Sequence, residues 1–326
     1  MSEVSMVQAI DLALARAMRD DAHVLVLGED VGADGGVFRA TDGLLKAFGP
    51  ERVLDMPLAE AGIVGLSVGL ALQGFRPVAE IQFTGFIYPA IDQLANHASR
   101  FRTRTRGRLS CPLVVRSPCG GGIRAVEHHS ESPEAMFANI PGLRTVIPSS
   151  PARAYGLLLA AIRDPDPVVF LEPTRLYRST KEEIGDDGTA LPLDRCFVLR
   201  EGSDLTIVAW GGMVPDALQA ATQLEAGGIS AEIIEVATLK PLDAETILAS
   251  VGKTGRCIIA HEAPLTGGYG GEIAAQIVQH ALTSLLAPIE RVAGYDTIMP
   301  LLRLEHLYLP DAARIVAAAE RAMAYT

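Results

Sequence analysis

The chain is short of paired cysteines, basic charge, long apolar runs and histidine, and each shortage excludes something. Cys111, Cys119, Cys196 and Cys257 form no C-x-x-C pair, so neither a zinc knuckle nor a disulfide framework is expected. Lys and Arg number 28 against 39 Asp and Glu, a net charge of −11, which argues against a general nucleic-acid or anionic-membrane binder because phosphate must be met by a basic face. No apolar run reaches the ~18 residues of a membrane span without a charge or glycine, and MSEVSMVQAI does not read as a secretory leader. The expectation is a cytoplasmic protein. What the 326 residues do have is apolar content, 49%, enough for a large core and for roughly two domains at ~150 residues each.

Those apolar residues alternate between strand-like runs and helical patterns. HVLVL (23–27), RVLDM (52–56), PVAEIQF (77–83), PLVVRS (112–117), RTVIP (144–148) and PVVFLEP (167–173) read as strands. Between them lie helices at 5–20, 60–74, 86–101, 132–140 and 150–164. EAGIVGLSVGLALQG (60–74) has apolar residues on nearly every face and predicts a fully buried helix. Ser150 and Pro151 form a helix start, as do Ser132 and Pro133 ahead of Glu134. The stretch 176–203 is polar, charged and irregular, a linker between a first domain, 1–175, and a second, 204–326, where strand and helix alternate again. The fold class is α/β: two doubly wound, mainly parallel-sheet domains.

The chemistry-bearing stretches start with two glycine clusters, GEDVGADGG (28–36) and CGGGIR (119–124). Successive backbone N–H groups in such turns attract anions, although neither cluster fits a dinucleotide or P-loop pattern and tight turns are the plainer reading. SRFRTRTRGR (99–108) is a local basic run in which Arg100, Arg104 and Arg108 would share a helix face. Glu60 opens an apolar helix with no cation near it in sequence, so burial should raise its pKa and fit it to share a proton with a heterocycle; a helix-dipole role is the alternative. Two of the seven histidines, His128 and His129, are adjacent in AVEHHSESPEAMF. Neighbours in extended backbone point to opposite sides, which is poor metal geometry, whereas a loop histidine ahead of a helix suits proton transfer.

Together, GEDV with GGVF, PLAEAGIVG, EIQFTGFIYPAIDQ, VVRSPCGGG, HHSESPEAMF, PGLRTVIPSSP, LLLAAIRDPDPVVFLEP and KPLDAETI resemble the beta subunit of the thiamine-diphosphate-dependent 2-oxo acid dehydrogenases, from residue 5 or so to the C-terminus. The resemblance implies a pyrimidine-binding domain followed by a transketolase C-terminal-type domain. It also implies an alpha2–beta2 heterotetramer whose alpha subunit holds the diphosphate and Mg2+. That division fits the sequence: GDDG (185–188) is followed by no asparagine, since Asn96 and Asn139 both precede it, so a GDG…Asn metal site is lacking. Glu60 stands where the family's glutamate protonates the cofactor pyrimidine, and Leu58, Gln82 and Phe86 stand where the family contacts that ring. His129 matches the histidine expected to orient the substrate carboxylate and assist acyl transfer to the lipoyl arm, with His128 a neighbour. Leu113, Ala161, Asp164 and Asp166 match a structural K+ site built mainly from backbone carbonyls. The implied activity is oxidative decarboxylation of a branched-chain 2-oxo acid and reductive acylation of a lipoyl domain on an acyltransferase core, with pyruvate or acetoin as alternatives. Two rivals follow from the same residues: a one-chain transketolase-like synthase, and a non-catalytic assembly module.

Overall fold

The computed structural model describes residues 2–325. Fourteen strands can be followed along it: β1 Ser2–Ser5, β2 Val24–Gly28, β3 Val53–Asp55, β4 Arg76–Glu80, β5 Val114–Cys119, β6 Arg144–Val146 and β7 Val168–Pro173, then β8 Lys181–Ile184, β9 Phe197–Arg200, β10 Leu205–Ala209, β11 Ala231–Glu235, β12 Thr238–Lys240, β13 Cys257–Pro264 and β14 Glu290–Gly294. The first sheet has the order β12-β6-β7-β5-β4-β2-β3 and the second β14-β13-β10-β11-β9. All pairs are parallel except the edge strands β12 and β9, which run antiparallel to their neighbours. Their central strands are buried along their whole length, as the uninterrupted apolar runs require when helices cover both faces.

Helices Met6–Asp20 and Pro151–Arg163 pack together on one face of the first sheet, the second started by Ser150, whose side chain accepts from the Arg153 amide. On the other face, helix Glu60–Leu72 shares a core with Val208, Trp210 and Ile234 of the second half, so one apolar interior spans both halves. A third core, around Ile207 and Ile315, covers the far face of the second sheet. Among the described residues no helix is long and apolar enough to cross a membrane.

Several expectations are corrected. Helix Glu60–Leu72 is buried on one face only, through Ile63, Val64, Ser67, Val68 and Ala71; Ala61, Gly62 and Leu66 are exposed because the sheet lies on one side of it. The expected single helix over 86–101 is a succession of 3-10 turns, the first at Thr84–Phe86, with a π turn at Gln93–His97; Pro89 lacks an amide in the second of them, Tyr88–Ala90. Arg108 does not continue the face of Arg100 and Arg104, since helix Phe101–Arg104 ends and Arg106 turns left-handed at φ 55°. Helix Glu134–Ala138 starts after Pro133 without a hydroxyl cap; its Glu134 carboxylate instead accepts from the Trp210 indole, 3.1 Å away. The polar stretch 176–203 is ordered by pairing: β8 runs against β1 and β9 joins the second sheet. Finally β12, a strand of the second half that no alternation signalled, completes the edge of the first sheet against β6.

Candidate active site

In a parallel sheet all chains leave the strands at one edge, and ligands collect there. Along this carboxyl edge, neighbouring strands β3, β2, β4 and β5 are followed by Leu58 and Glu60, by Glu29 and Asp30, by Gln82 and Phe86, and by His129. Sequence separations of up to 71 residues between Leu58 and His129 (129 − 58) thus collapse onto four adjacent strand ends.

Glu60 is the first residue of its helix, half-buried, where the helix dipole favours a carboxylate. Its neighbour is another acid, Glu29, almost fully buried, with one side-chain oxygen lacking a partner. Burial pushes the Glu29 pKa up, and the charges of Glu60 and Asp30 push it further. Gln82 donates to Asp30 at 3.3 Å. Leu58 is 81% exposed, an unusual cost for a leucine and a ready apolar surface beside the carboxylate, and Phe86 is half-buried.

The two adjacent histidines separate. His129 packs its ring on Phe83 and Phe86, at centroid distances of 4.0 and 5.3 Å, and its Nδ1 is buried without a partner. His128 is exposed. The loop carrying them lies so close to the turn after β4 that a Cβ on Gly85 would stand 2.1 Å from the His128 carbonyl oxygen. Only glycine admits that crossing.

Beneath this edge Arg116 is almost entirely buried and bridges strands: its guanidinium donates to Glu172 at 2.7 and 2.8 Å and to Glu80, while Tyr177 donates to Glu172. A buried charge of this kind requires full pairing, and it has it.

The glycine clusters are not open phosphate sites. In the first, Gly32 and Ala33 amides donate to the Asp55 carboxylate at 2.6 and 3.0 Å. In the second, Gly121 donates to Glu262, and Gly122 and Arg124 to Glu305. The chain's own carboxylates fill both. The expected cation site is a stretch of engaged backbone. The carbonyls of Leu113 and Ala161 accept from the Val168 and Asp164 amides, and Arg76 donates to those of Ile162 and Asp164. Arg144 and Arg102 face the carboxylates of Asp164 and Asp166 at 3.0 and 2.7 Å. The carboxylates of this stretch are thus met by guanidinium groups, while the carbonyls of Leu113, Ala161 and Asp164 each accept from a donor of the chain itself.

Sequence reasoning missed Glu29, Asp30, Gly85, Glu262 and Glu305. The first two had a legible signal, acids directly after an apolar strand; the last two approach from the other half of the chain and had none.

Comparison with known proteins bears on the family and the fold. The family model described as "Transketolase, pyrimidine binding domain" matches residues 2–180, and "Transketolase, C-terminal domain" matches 194–315. The chain is 47% identical over 325 residues, covering 100% of both chains, to the pyruvate dehydrogenase E1 component subunit beta of Bacillus subtilis. The subunit of the same name from Acholeplasma laidlawii is 47% identical over 317 residues, with 97% of each chain covered. A solved structure described as "Split gene transketolase, inactive beta4 tetramer" superposes with a TM-score of 0.81 at 27% identity, covering 99% of each chain. These names favour the pyruvate alternative over the branched-chain expectation. Matched over nearly its whole length by both domain models and by full-length relatives, the chain belongs to the beta subunits of the thiamine-dependent 2-oxo acid dehydrogenases, a family with the transketolase-like fold.

Proposed function

We propose that this chain is the beta subunit of a pyruvate dehydrogenase, acting in the cytoplasm with an alpha subunit to decarboxylate pyruvate and pass the acetyl group to a lipoyl domain. The lipoyl disulfide would take up the two electrons released. The observation that carries the reading is the convergence of Glu60, Gln82, Phe86 and His129 on one strand edge, in a chain whose full-length relatives bear that name. Thiamine diphosphate, when bound, supplies the electron sink for decarboxylation. The residues present fit its pyrimidine half: Leu58 and Phe86 offer apolar surface, Gln82 an amide, and Glu60 a carboxyl able to hold a proton on a ring nitrogen. His129, rooted between Phe83 and Phe86, would orient the substrate carboxylate and assist acyl transfer.

In the two glycine clusters the amides of Gly32, Ala33, Gly121, Gly122 and Arg124 are taken by Asp55, Glu262 and Glu305. This supports assigning the diphosphate and Mg2+ to the alpha subunit and weighs against a one-chain synthase. Domains at 1–175 and 204–326 belong to the same reading, with the 176–203 connection lending β8 to the first half and β9 to the second sheet.

The test is a substrate panel on the tetramer reconstituted with alpha subunit, thiamine diphosphate and Mg2+. Pyruvate should give the highest kcat/KM, ahead of 3-methyl-2-oxobutanoate and acetoin; faster turnover of the branched-chain acid would overturn the assignment.

A further inference from the structure

We infer that Glu305, assisted by Glu262, is a positioning residue for His129: the second half of the chain holds the histidine loop in place by its glycine limb. The inference rests on His129 acting as proposed above, and goes beyond it by naming what fixes that histidine.

The loop leaves β5 at Cys119 and is closed at its base by the Gly120 amide donating to the Glu131 carbonyl at 2.8 Å. Its histidine limb, Glu127–His129, lies on the turn after β4, where Thr84 donates to the Glu131 carbonyl at 3.1 Å. Its other limb makes different attachments. The Gly121 amide donates to Glu262 at 3.1 Å, Gly122 to Glu305 at 2.7 Å, and Arg124 to Glu305 at 3.1 Å. Both acceptors belong to the second half of the chain and both are buried. Glu262 lies in β13 and faces Arg175, whose nitrogen is 2.9 Å away though not aligned for a hydrogen bond; Glu305 opens the short turn Glu305–Tyr308.

The backbone of this limb is shaped around the carboxylates. Gly120, Gly122 and Arg124 all have positive φ, 76°, 90° and 56°. At Arg124, which has a Cβ, that conformation is strained and persists only where surroundings impose it. A Cβ on Gly120 would come within 2.5 Å of the Glu262 carboxylate. Backbone amides turned towards an anion make a cradle, and here the anions are built in, Glu262 for Gly121 and Glu305 for Gly122 and Arg124. A loop held at both limbs keeps His129 in one place; a loop held only at the histidine limb, where its contacts are aromatic faces and the Thr84 and Tyr88 hydroxyls on Glu131, is held less firmly. Misplacing a reacting group by about 1 Å costs on the order of 100-fold.

The experiment uses the reconstituted tetramer and measures acetylation of a lipoyl domain for wild type, Glu305→Ala, Glu305→Gln, His129→Ala and the Glu305→Ala/His129→Ala double variant. Glu305→Ala should lower the rate by on the order of 10- to 100-fold. Glu305→Gln, which keeps an accepting oxygen, should lose less. Because Glu305 works through His129, the double variant should be no slower than His129→Ala alone. Multiplicative losses in the double variant, or an unchanged Glu305→Ala, would overturn the inference. Should Glu305→Ala fail to assemble, Glu305→Asp, one methylene short of the amides, takes its place with the same expected pattern. Amide hydrogen exchange on the wild type and the variant separates this from the functional proposal, since it needs no substrate. Faster exchange running from Gly122 through to His129 supports the anchor even if pyruvate is not turned over; exchange that changes only at Gly122 and Arg124 refutes it.

Discussion

At the scale of single residues, two carboxyls make opposite demands. Glu60 sits at a helix start, half-buried beside Glu29, and the role proposed for it requires a proton to be held and released. Glu60→Gln keeps the size and removes the exchangeable proton. Decarboxylation should fall by on the order of 100-fold or more while sedimentation still shows the tetramer. Retained decarboxylation would leave the chain as an assembly module only. Glu134, by contrast, is buried in the join between the halves. Burial pushes its carboxyl up to about 7 from 4.5, against the Trp210 indole N–H, which favours the charged form, and with Glu262 adding to the rise. The folded state therefore keeps a proton that the unfolded chain has already lost across this window. Its contribution is fully present below 4.5 and is lost as pH rises towards 7. Trp210 is the single tryptophan, so its emission should titrate near pH 7, and Glu134→Gln should flatten both that titration and the loss of thermal stability over the same range. A titration that survives the substitution would assign the proton elsewhere.

Elements were legible in the sequence where periodicity or capping was strong. Ser150-Pro151 gave a helix start that the structure repeats, and the apolar runs around Val26, Val115 and Val169 became central strands. What failed were elements decided by contacts rather than by composition. β12 is three residues long and pairs across the halves, so no local pattern could announce it. The turns over 84–100 retain helical sequence texture, but Pro89 and the approach of the histidine loop break the regular ladder. The candidate site divides the same way. Family resemblance prefers His129 to His128, and the structure separates the two, the His129 ring packing on Phe83 while His128 is exposed. Gly85 belongs to this scale because it lets two elements cross. Gly85→Ala would drive its Cβ to 2.1 Å from the His128 carbonyl oxygen, so the loop must move. A destabilisation of about 1–3 kcal/mol is expected from overpacking, visible as a lower Tm, together with slower lipoyl acetylation than decarboxylation. An unchanged Tm and rate would mean that the crossing is looser than described.

At the scale of the whole molecule, the halves are not separable bodies. One core contains Ile63 and Val115 from the first and Val208, Ile234 and Leu239 from the second, β12 is lent across, and Glu262 and Glu305 reach back to the glycine limb. A fragment ending at residue 203 would lack all of these contributions from the second half. It should be poorly soluble and show no sharp thermal transition by circular dichroism, while the full chain melts cooperatively. A monomeric, sharply melting fragment would show that the first sheet is self-sufficient.

The loan of β12 also has a consequence for synthesis. β7 is complete at Pro173, yet the strand that covers the β6 edge ends at Lys240, 67 residues later (240 − 173). At about 5–20 residues per second the ribosome leaves that edge bare for several seconds in every round of translation. An unpaired β edge is a template for neighbouring nascent chains. Crowding of translating ribosomes on one messenger, more than the stability of the finished protein, would then limit how much of this chain a cell can make in native form.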